Sequence, residues 1–100
     1  MRLSPEQQSA IRAASLASFN EGVRVWLFGS RVDDNKRGGD IDLLIQPAPS
    51  ATDHLFARKI RFLTRLEQVL GERKIDVVIE EPNETRPIVA IARAKGIKIV

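Results

Sequence analysis

The chain has 100 residues with no cysteine and one histidine, which excludes disulfides, cysteine-based metal sites and multi-histidine metal centres. Any metal must therefore be bound through oxygen. With 16 basic and 13 acidic residues, the net charge of +3 fits a nucleoside triphosphate, an acidic protein or nucleic acid equally well. We expect residues 1–100 to form one cytoplasmic domain, because no apolar run could cross a bilayer and the first residues lack an apolar signal core.

The first predicted element is a helix that begins at Ser4 and ends near Phe19. Ser4 is a hydroxyl N-cap, Pro5 takes the first helical position, and Gln7 completes a capping box. A strand follows from Val23 to Phe28, because this segment is rich in β-branched and aromatic residues. Its Trp26 is interpreted as a core side chain under a helix rather than as a stacking platform for a base.

The most informative stretch runs from this strand into a second one. The apolar run ends at Gly29-Ser30, a polar loop follows, and the next apolar run opens with Asp40-Ile41-Asp42. Side chains alternate along a strand, so Asp40 and Asp42 point to the same side. Two adjacent carboxylates repel each other unless a cation lies between them, and Mg²⁺ binds through carboxylates, water and phosphate oxygens.

The loop before the carboxylates has the features of a phosphate site. Gly29 allows close approach of the backbone, Ser30 adds a hydroxyl, and a short helix predicted from Ser30 or Arg31 would present amide N–H groups to an anion. Arg31 is a candidate forked donor to a triphosphate oxygen, with a surface arginine as the alternative. Asp33 and Asp34 are interpreted as solvated loop residues rather than metal ligands.

A long helix is predicted beyond the turn at residues 46–50, capped by Thr52-Asp53 and running to Leu70, with Gly71 ending it. Its apolar residues at helical spacing are expected to cover the sheet: Phe56, Ile60, Leu63, Leu66 and Leu70.

The opposite side of this helix carries a row of arginines at positions 58, 61 and 65. A solvated helix face is the favoured interpretation of this row, and a surface for nucleic acid or an acidic partner is the alternative. The single histidine, His54, is interpreted as a surface residue.

The last predicted elements are a strand over Lys74–Glu80, a helix over about Glu84–Lys95 and a short edge strand over Ile97–Val100. The first of these strands carries Asp76 among β-branched residues. Burying an aspartate inside an apolar strand is costly unless a cation or hydrogen bonds compensate. A partner for Asp76 is therefore expected, either a shared metal or a nearby backbone amide.

Gly29-Ser30, followed after nine residues by Asp40-Ile41-Asp42-Leu43-Leu44, resembles the signature of the polymerase-beta-like nucleotidyltransferase superfamily. The resemblance implies an α/β (α+β) nucleotidyltransferase fold, with a small mixed sheet of three to four strands flanked by about four helices. It also implies that Asp40, Asp42 and Asp76 bind two Mg²⁺ ions and carry catalysis, with Asp76 also the candidate general base. Gly29, Ser30 and Arg31 would bind the phosphates of the substrate ATP.

The short chain is similar to the smallest branch of that superfamily, the minimal nucleotidyltransferases that act as antitoxins beside helical HEPN ribonuclease toxins. This resemblance implies transfer of AMP, or another nucleoside monophosphate, to a hydroxyl of the partner toxin within a hetero-oligomer. The alternative is a catalytically silent antitoxin that masks its partner by binding. A nucleic-acid regulator acting through the arginine row is a weaker third hypothesis.

Overall fold

The chain folds around a mixed four-stranded sheet. The computed structural model describes residues 3–29, 41–71 and 74–100. In chain order the elements are α1 (Pro5–Phe19), β1 (Arg24–Phe28), β2 (Ile41–Gln46), a 3-10 turn (Pro49–Ala51), α2 (Leu55–Leu70), β3 (Ile75–Ile79), α3 (Pro87–Lys95) and β4 (Ile97–Lys98). The sheet order is β3-β2-β1-β4. This architecture confirms the predicted α+β class, while the helix predicted from Ser30 or Arg31 lies outside the described residues.

Strand pairing places the two central strands inside the sheet. β1 pairs antiparallel with β2 and with β4, whereas β2 and β3 are parallel. β4 lies at one edge, as predicted for the last strand, and β3 lies at the other. Because the β2–β3 connection contains α2, it has the length that a parallel crossover needs.

The two faces of the sheet have separate cores. α1 and α2 cover one face, where Leu27, Leu43 and Val77 lie in a cluster with Ile11, Phe62 and Leu66. α3 covers the other face through Val89 and Ala92, which pack on Trp26 and Leu44. Trp26 is thus a buried core residue, which confirms the interpretation from the sequence. The guanidinium carbon of Arg93 lies 5.2 Å from the centre of the Trp26 ring system, which is a cation–π distance.

The start of α1 follows the capping prediction closely. The backbone N–H of Gln7 donates to the Ser4 hydroxyl at 3.1 Å, and the Gln7 side chain accepts from the Ser4 backbone N–H at 2.8 Å. Both bonds satisfy N–H groups that a helix start leaves without partners. The residues that decide this element are adjacent in sequence, which explains why its beginning and end were both predictable.

The start of α2 and its buried stripe differ from the prediction. The helix begins at Leu55 after His54, which adopts a left-handed conformation (φ 51°) and makes no side-chain cap. Two residues expected to cover the sheet are exposed instead: Phe56 by 78% and Ile60 by 47%. α2 packs on α1 as well as on the sheet, with Phe62 meeting Phe19 edge-on at 5.9 Å, and this second contact rotates the buried stripe toward Phe62 and Leu66.

Arg58 does not belong to a solvated arginine row. Its guanidinium donates to the Ser18 carbonyl at 3.0 Å, to the Asp53 carbonyl at 2.8 Å and to the Asp53 carboxylate at 2.9 Å. These bonds tie the first turn of α2 to the end of α1, and the Arg58 side chain is only 16% exposed. The hydrogen bond from Arg58 lowers the pKa of the Asp53 carboxyl. Arg61 and Arg65 remain exposed, as expected for a solvated face.

Replacing Arg58 should destabilise the fold more than replacing its exposed neighbour. We expect Arg58→Met to lower the free energy of unfolding by about 1–3 kcal/mol, because the Ser18 carbonyl at the end of α1 loses its charged donor. Arg61→Met should change it by less than about 0.5 kcal/mol. Urea unfolding of both variants measures the difference, and equal stabilities would contradict the anchoring role of Arg58.

The last helix begins three residues later than predicted, at Pro87, because Glu84 and Arg86 form a turn of their own. The Arg86 guanidinium donates to the Glu84 carboxylate at 2.5 and 2.9 Å, and also to the Ile79 carbonyl at 2.6 Å. Backbone N–H groups of Glu81 and Arg86 donate to the same carboxylate. These bonds, led by the Arg86 side chain, hold the pKa of the Glu84 carboxyl well below its ordinary value.

The lowered pKa of Glu84 predicts a pH dependence of stability. In the folded chain this carboxyl stays ionised below pH 4.5, the ordinary value at which it would protonate when unfolded. Its contribution is therefore present above that pH and is lost as the pH falls through the lower folded pKa. We expect the Glu84→Gln variant to lose less of its free energy of unfolding than the natural chain does when the pH is lowered below 4.5. Thermal unfolding at a series of pH values tests this, with Glu67→Gln on exposed α2 surface as the control.

Candidate functional site

Two of the predicted carboxylates lie side by side at the beginning of the parallel strands. Asp42 is the direct partner of Asp76 in the β2–β3 register. Partners in a parallel pair point to the same side of the sheet, and adjacent strands are about 4.8 Å apart. The next residues on that side, Leu44 and Val78, belong to the cluster under α3. Both carboxylates therefore lie on the α3 face, at the end of the sheet beyond that apolar cluster.

Gly29 forms the third side of this arrangement. It follows Phe28, which pairs with Asp42 across the β1–β2 ladder. Gly29 has a φ of 78°, and a β-carbon built on it would meet the carboxylate oxygen Oδ2 of Asp42 and lie 3.1 Å from its Cγ. The Asp42 carboxylate thus occupies the space that a side chain at position 29 would take. Glycine is required here by both the backbone conformation and the close approach.

The two carboxylates differ in their surroundings. Asp42 is half-buried between β1 and β3, whereas Asp76 is exposed on the edge strand. The cost of burying an aspartate therefore does not arise for Asp76, because β3 lies at the edge of the sheet and this side chain is in contact with solvent. What remains is the proximity of two like charges, which favours a bound cation between them.

The other predicted site residues lie outside the described part of the chain. Asp40, Ser30 and Arg31 are in this group, together with Asp33 and Asp34. Their roles in metal and phosphate binding stay predictions. The structure does fix where their segment is attached, because it leaves β1 at Gly29 and re-enters at Ile41, whose N–H donates to the Lys74 carbonyl at 3.1 Å. Both attachment points adjoin Asp42.

The donors present fit a hard divalent cation. Carboxylate oxygens on neighbouring strands are the ligands that Mg²⁺ prefers, and it commonly takes only one or two of them from the protein. Within the described ranges, no group of three histidine, cysteine, aspartate or glutamate residues is placed to hold a metal. Asp42 and Asp76 are therefore two candidate ligands, and Asp40 is the predicted third.

Sequence reasoning missed how Gly29 and Asp42 depend on each other. The sequence predicts a phosphate-binding role for Gly29, and the structure adds that this glycine makes room for a carboxylate from the next strand. The sequence does show a glycine directly after an apolar strand. The pairing of Phe28 with Asp42 is needed to recognise that this glycine lies beside the Asp42 carboxylate. His54, by contrast, is exposed as expected, at 3.4 Å from the exposed carboxylate of Asp53.

The mixed α+β fold, with carboxylates facing each other on adjoining strands, is consistent with a nucleotidyltransferase domain. A family model described as "Polymerase beta, Nucleotidyltransferase" matches residues 13–100. The chain belongs to this family, within the polymerase-beta-like nucleotidyltransferase superfamily. A search of curated proteins finds no match to the chain. Over the residues that the structure describes, every helix is too short or too polar to span a membrane.

Proposed function

We propose that the protein transfers a nucleoside monophosphate, most simply AMP, from a nucleoside triphosphate to a hydroxyl group of a partner protein. The observation that carries this proposal is the position of Asp42, directly opposite Asp76 and in contact with Gly29. Family membership supports the nucleotidyl-transfer chemistry. The choice of a protein acceptor rests on the resemblance to minimal nucleotidyltransferases noted in the sequence.

In this proposal the chain's own residues position the reactants. Asp42, with Asp40 beside it, would hold a divalent cation that carries the triphosphate. Asp76 would complete the ligand set on the acceptor side and accept the proton of the attacking hydroxyl, for which the exposure of its side chain on the α3 face leaves access. Gly29, with Ser30 and Arg31, would hold the leaving pyrophosphate in line with the acceptor. When bound, paired Mg²⁺ ions would stabilise the charges on the entering and leaving oxygens.

The biological role that we propose is neutralisation of a helical HEPN-type toxin, by modification of a toxin hydroxyl within a hetero-oligomer. Within the described ranges, no second lobe lies over Asp76, whose side chain is exposed. An acceptor delivered by another protein is compatible with that open side. The mildly basic net charge of +3 is compatible with the nucleotide and with an acidic partner.

The test is transfer of label from ATP. The protein is incubated with Mg²⁺, α-³²P-labelled ATP and the protein encoded by the adjacent reading frame, and the proteins are separated under denaturing conditions. We expect label on the partner in the presence of Mg²⁺ and none with EDTA. Absence of label on either protein, with the fold verified by circular dichroism, would contradict the proposal.

A second candidate is a binding module without catalysis. α3 exposes two large apolar side chains, Ile88 by 41% and Ile91 by 52%, on a helix that otherwise packs on the sheet. Such residues fit a surface that masks a partner by contact. The double substitution Asp40→Asn with Asp42→Asn separates the candidates, because a mask would still neutralise the toxin in cells whereas an enzyme would not.

A further inference from the structure

The outer edge of β3 is the longest apolar edge in the described part of the sheet. No described strand pairs with it, whereas its inner edge is bonded to β2. The N–H of Glu80 donates to Ile45 of β2 and the carbonyl of Lys74 accepts from Ile41 of β2. Since backbone groups alternate in direction along a strand, the N–H and C=O groups of Ile75, Val77 and Ile79 point to the outer edge.

An exposed apolar strip runs beside this edge. Phe56 of α2 lines a groove together with Leu55, Lys59, Val77 and Ile79, and 78% of its surface is exposed. Ile60, one turn further along α2, is 47% exposed. An apolar edge strand with a neighbouring aromatic side chain is a surface that proteins normally cover or protect with charges.

We propose that a second copy of this chain covers the surface, by antiparallel pairing of β3 with β3 about a two-fold axis through Val77. The segment Lys74–Glu80 reads KIDVVIE and is complementary to itself in that register. Val77 pairs with Val77, Ile75 with Ile79, and each Lys74 lies across from Glu80 of the other copy. These pairs use the backbone groups that point to the outer edge.

The charges select this register over its neighbours. A two-fold axis at Asp76 would place the two Asp76 carboxylates opposite each other, and an axis at Val78 would oppose Asp76 to Glu80. Like charges directly across a ladder are destabilising. The register centred on Val77 avoids both conflicts, opposes Asp76 to apolar Val78, and gives the longest ladder of the three. Glu80 also accepts a hydrogen bond from Arg93 of its own chain, which fixes its side chain on the α3 face.

One contact has to coexist with the pairing. The Arg86 guanidinium donates to the Ile79 carbonyl at 2.6 Å, at the end of the outer edge. A carbonyl oxygen accepts two hydrogen bonds, so Ile79 can also receive the N–H of Ile75 from the other copy. Arg86 is held by Glu84 in its own chain and marks the end of the ladder. The pairing continues the sheet across the axis and brings the α2 strips of both copies, Phe56 and Ile60, toward each other on the same face.

The first experiment maps the register with single cysteines, which the natural chain lacks. Directly paired residues have Cα atoms about 5.5 Å apart, within reach of a disulfide. Val77→Cys should therefore form a disulfide-linked dimer under mild oxidation. Ile75→Cys and Ile79→Cys should not do so alone, since each lies about 13 Å along the strand from its own symmetry mate. A mixture of these two variants should cross-link.

The second experiment measures mass in solution by sedimentation at a series of concentrations. We expect a dimer for the natural chain, and Phe56→Lys should weaken it by about tenfold or more. Val69→Lys is the matched control, because Val69 is a similarly exposed (66%) residue of α2 that lies on the α1 side. A monomer at every concentration, or equal cross-linking of Ile75→Cys and Val77→Cys, would overturn the proposal. Neither readout depends on nucleotidyl transfer.

Discussion

Asp42→Asn should abolish transfer of label from ATP to the partner, with a loss of about a hundredfold or more. Asparagine keeps the shape of the side chain in its place against Gly29 but removes the charge that would hold the cation. Asp76 would then have no second carboxylate across the ladder. Asp76→Asn should reduce transfer as well, through loss of the proposed proton acceptor at the exposed edge.

A binding measurement separates loss of the metal from loss of the fold. Mg²⁺ should raise the melting temperature of the natural chain, because a ligand that binds only the folded state stabilises it. The increase should disappear in Asp42→Asn. Glu67→Gln, which removes one exposed carboxylate from α2, is the control and should retain both the increase and the transfer. Full transfer by Asp42→Asn would rule out its proposed role.

Gly29→Ala should also inactivate the protein, by a different route. The new methyl group would occupy the position of the Asp42 carboxylate, which must leave its place beside Gly29. Displacement of a positioning group by about 1 Å is enough to cost about a hundredfold in rate. The substitution also strains the backbone at φ 78°, at a cost of about 1–3 kcal/mol in the free energy of unfolding.

Gly71→Ala is a matched control for Gly29→Ala. Gly71 has nearly the same φ, 75°, but a methyl group there would contact nothing within 4 Å. Both variants should therefore be destabilised by backbone strain, as measured by thermal unfolding. Only Gly29→Ala should lose transfer and the Mg²⁺-induced rise in melting temperature. If both variants keep their activity at a temperature where they are folded, the contact between Gly29 and Asp42 has no functional importance.

Much of the fold was predictable because its determinants are local. The cap of α1 rests on residues within four positions of each other, and β1 and β2 each carry the near-continuous apolar run of a strand that is covered on both faces. The prediction was poorer for α2, since its orientation depends on α1 and on the anchoring of Arg58 by Ser18, 40 positions away. The beginning of α3 was missed because the Glu84–Arg86 pair, with its bond to Ile79, replaces the expected first turn.

The amino-acid sequence by itself determined the chemistry that this protein can carry. It offers oxygen ligands instead of cysteine sulfur or clustered histidines, and it places carboxylates near the starts of two strands, the first of which follows Gly29 and a polar loop. Only the tertiary structure decided that Asp42 and Asp76, 34 positions apart, are direct partners, and that the carboxylate of Asp42 fills the space beside Gly29. It also decided that Asp76 is exposed and that the outer side of β3 has no described strand beside it. Local patterns fix which face a residue takes, whereas the order and register of strands depend on how distant segments pack together.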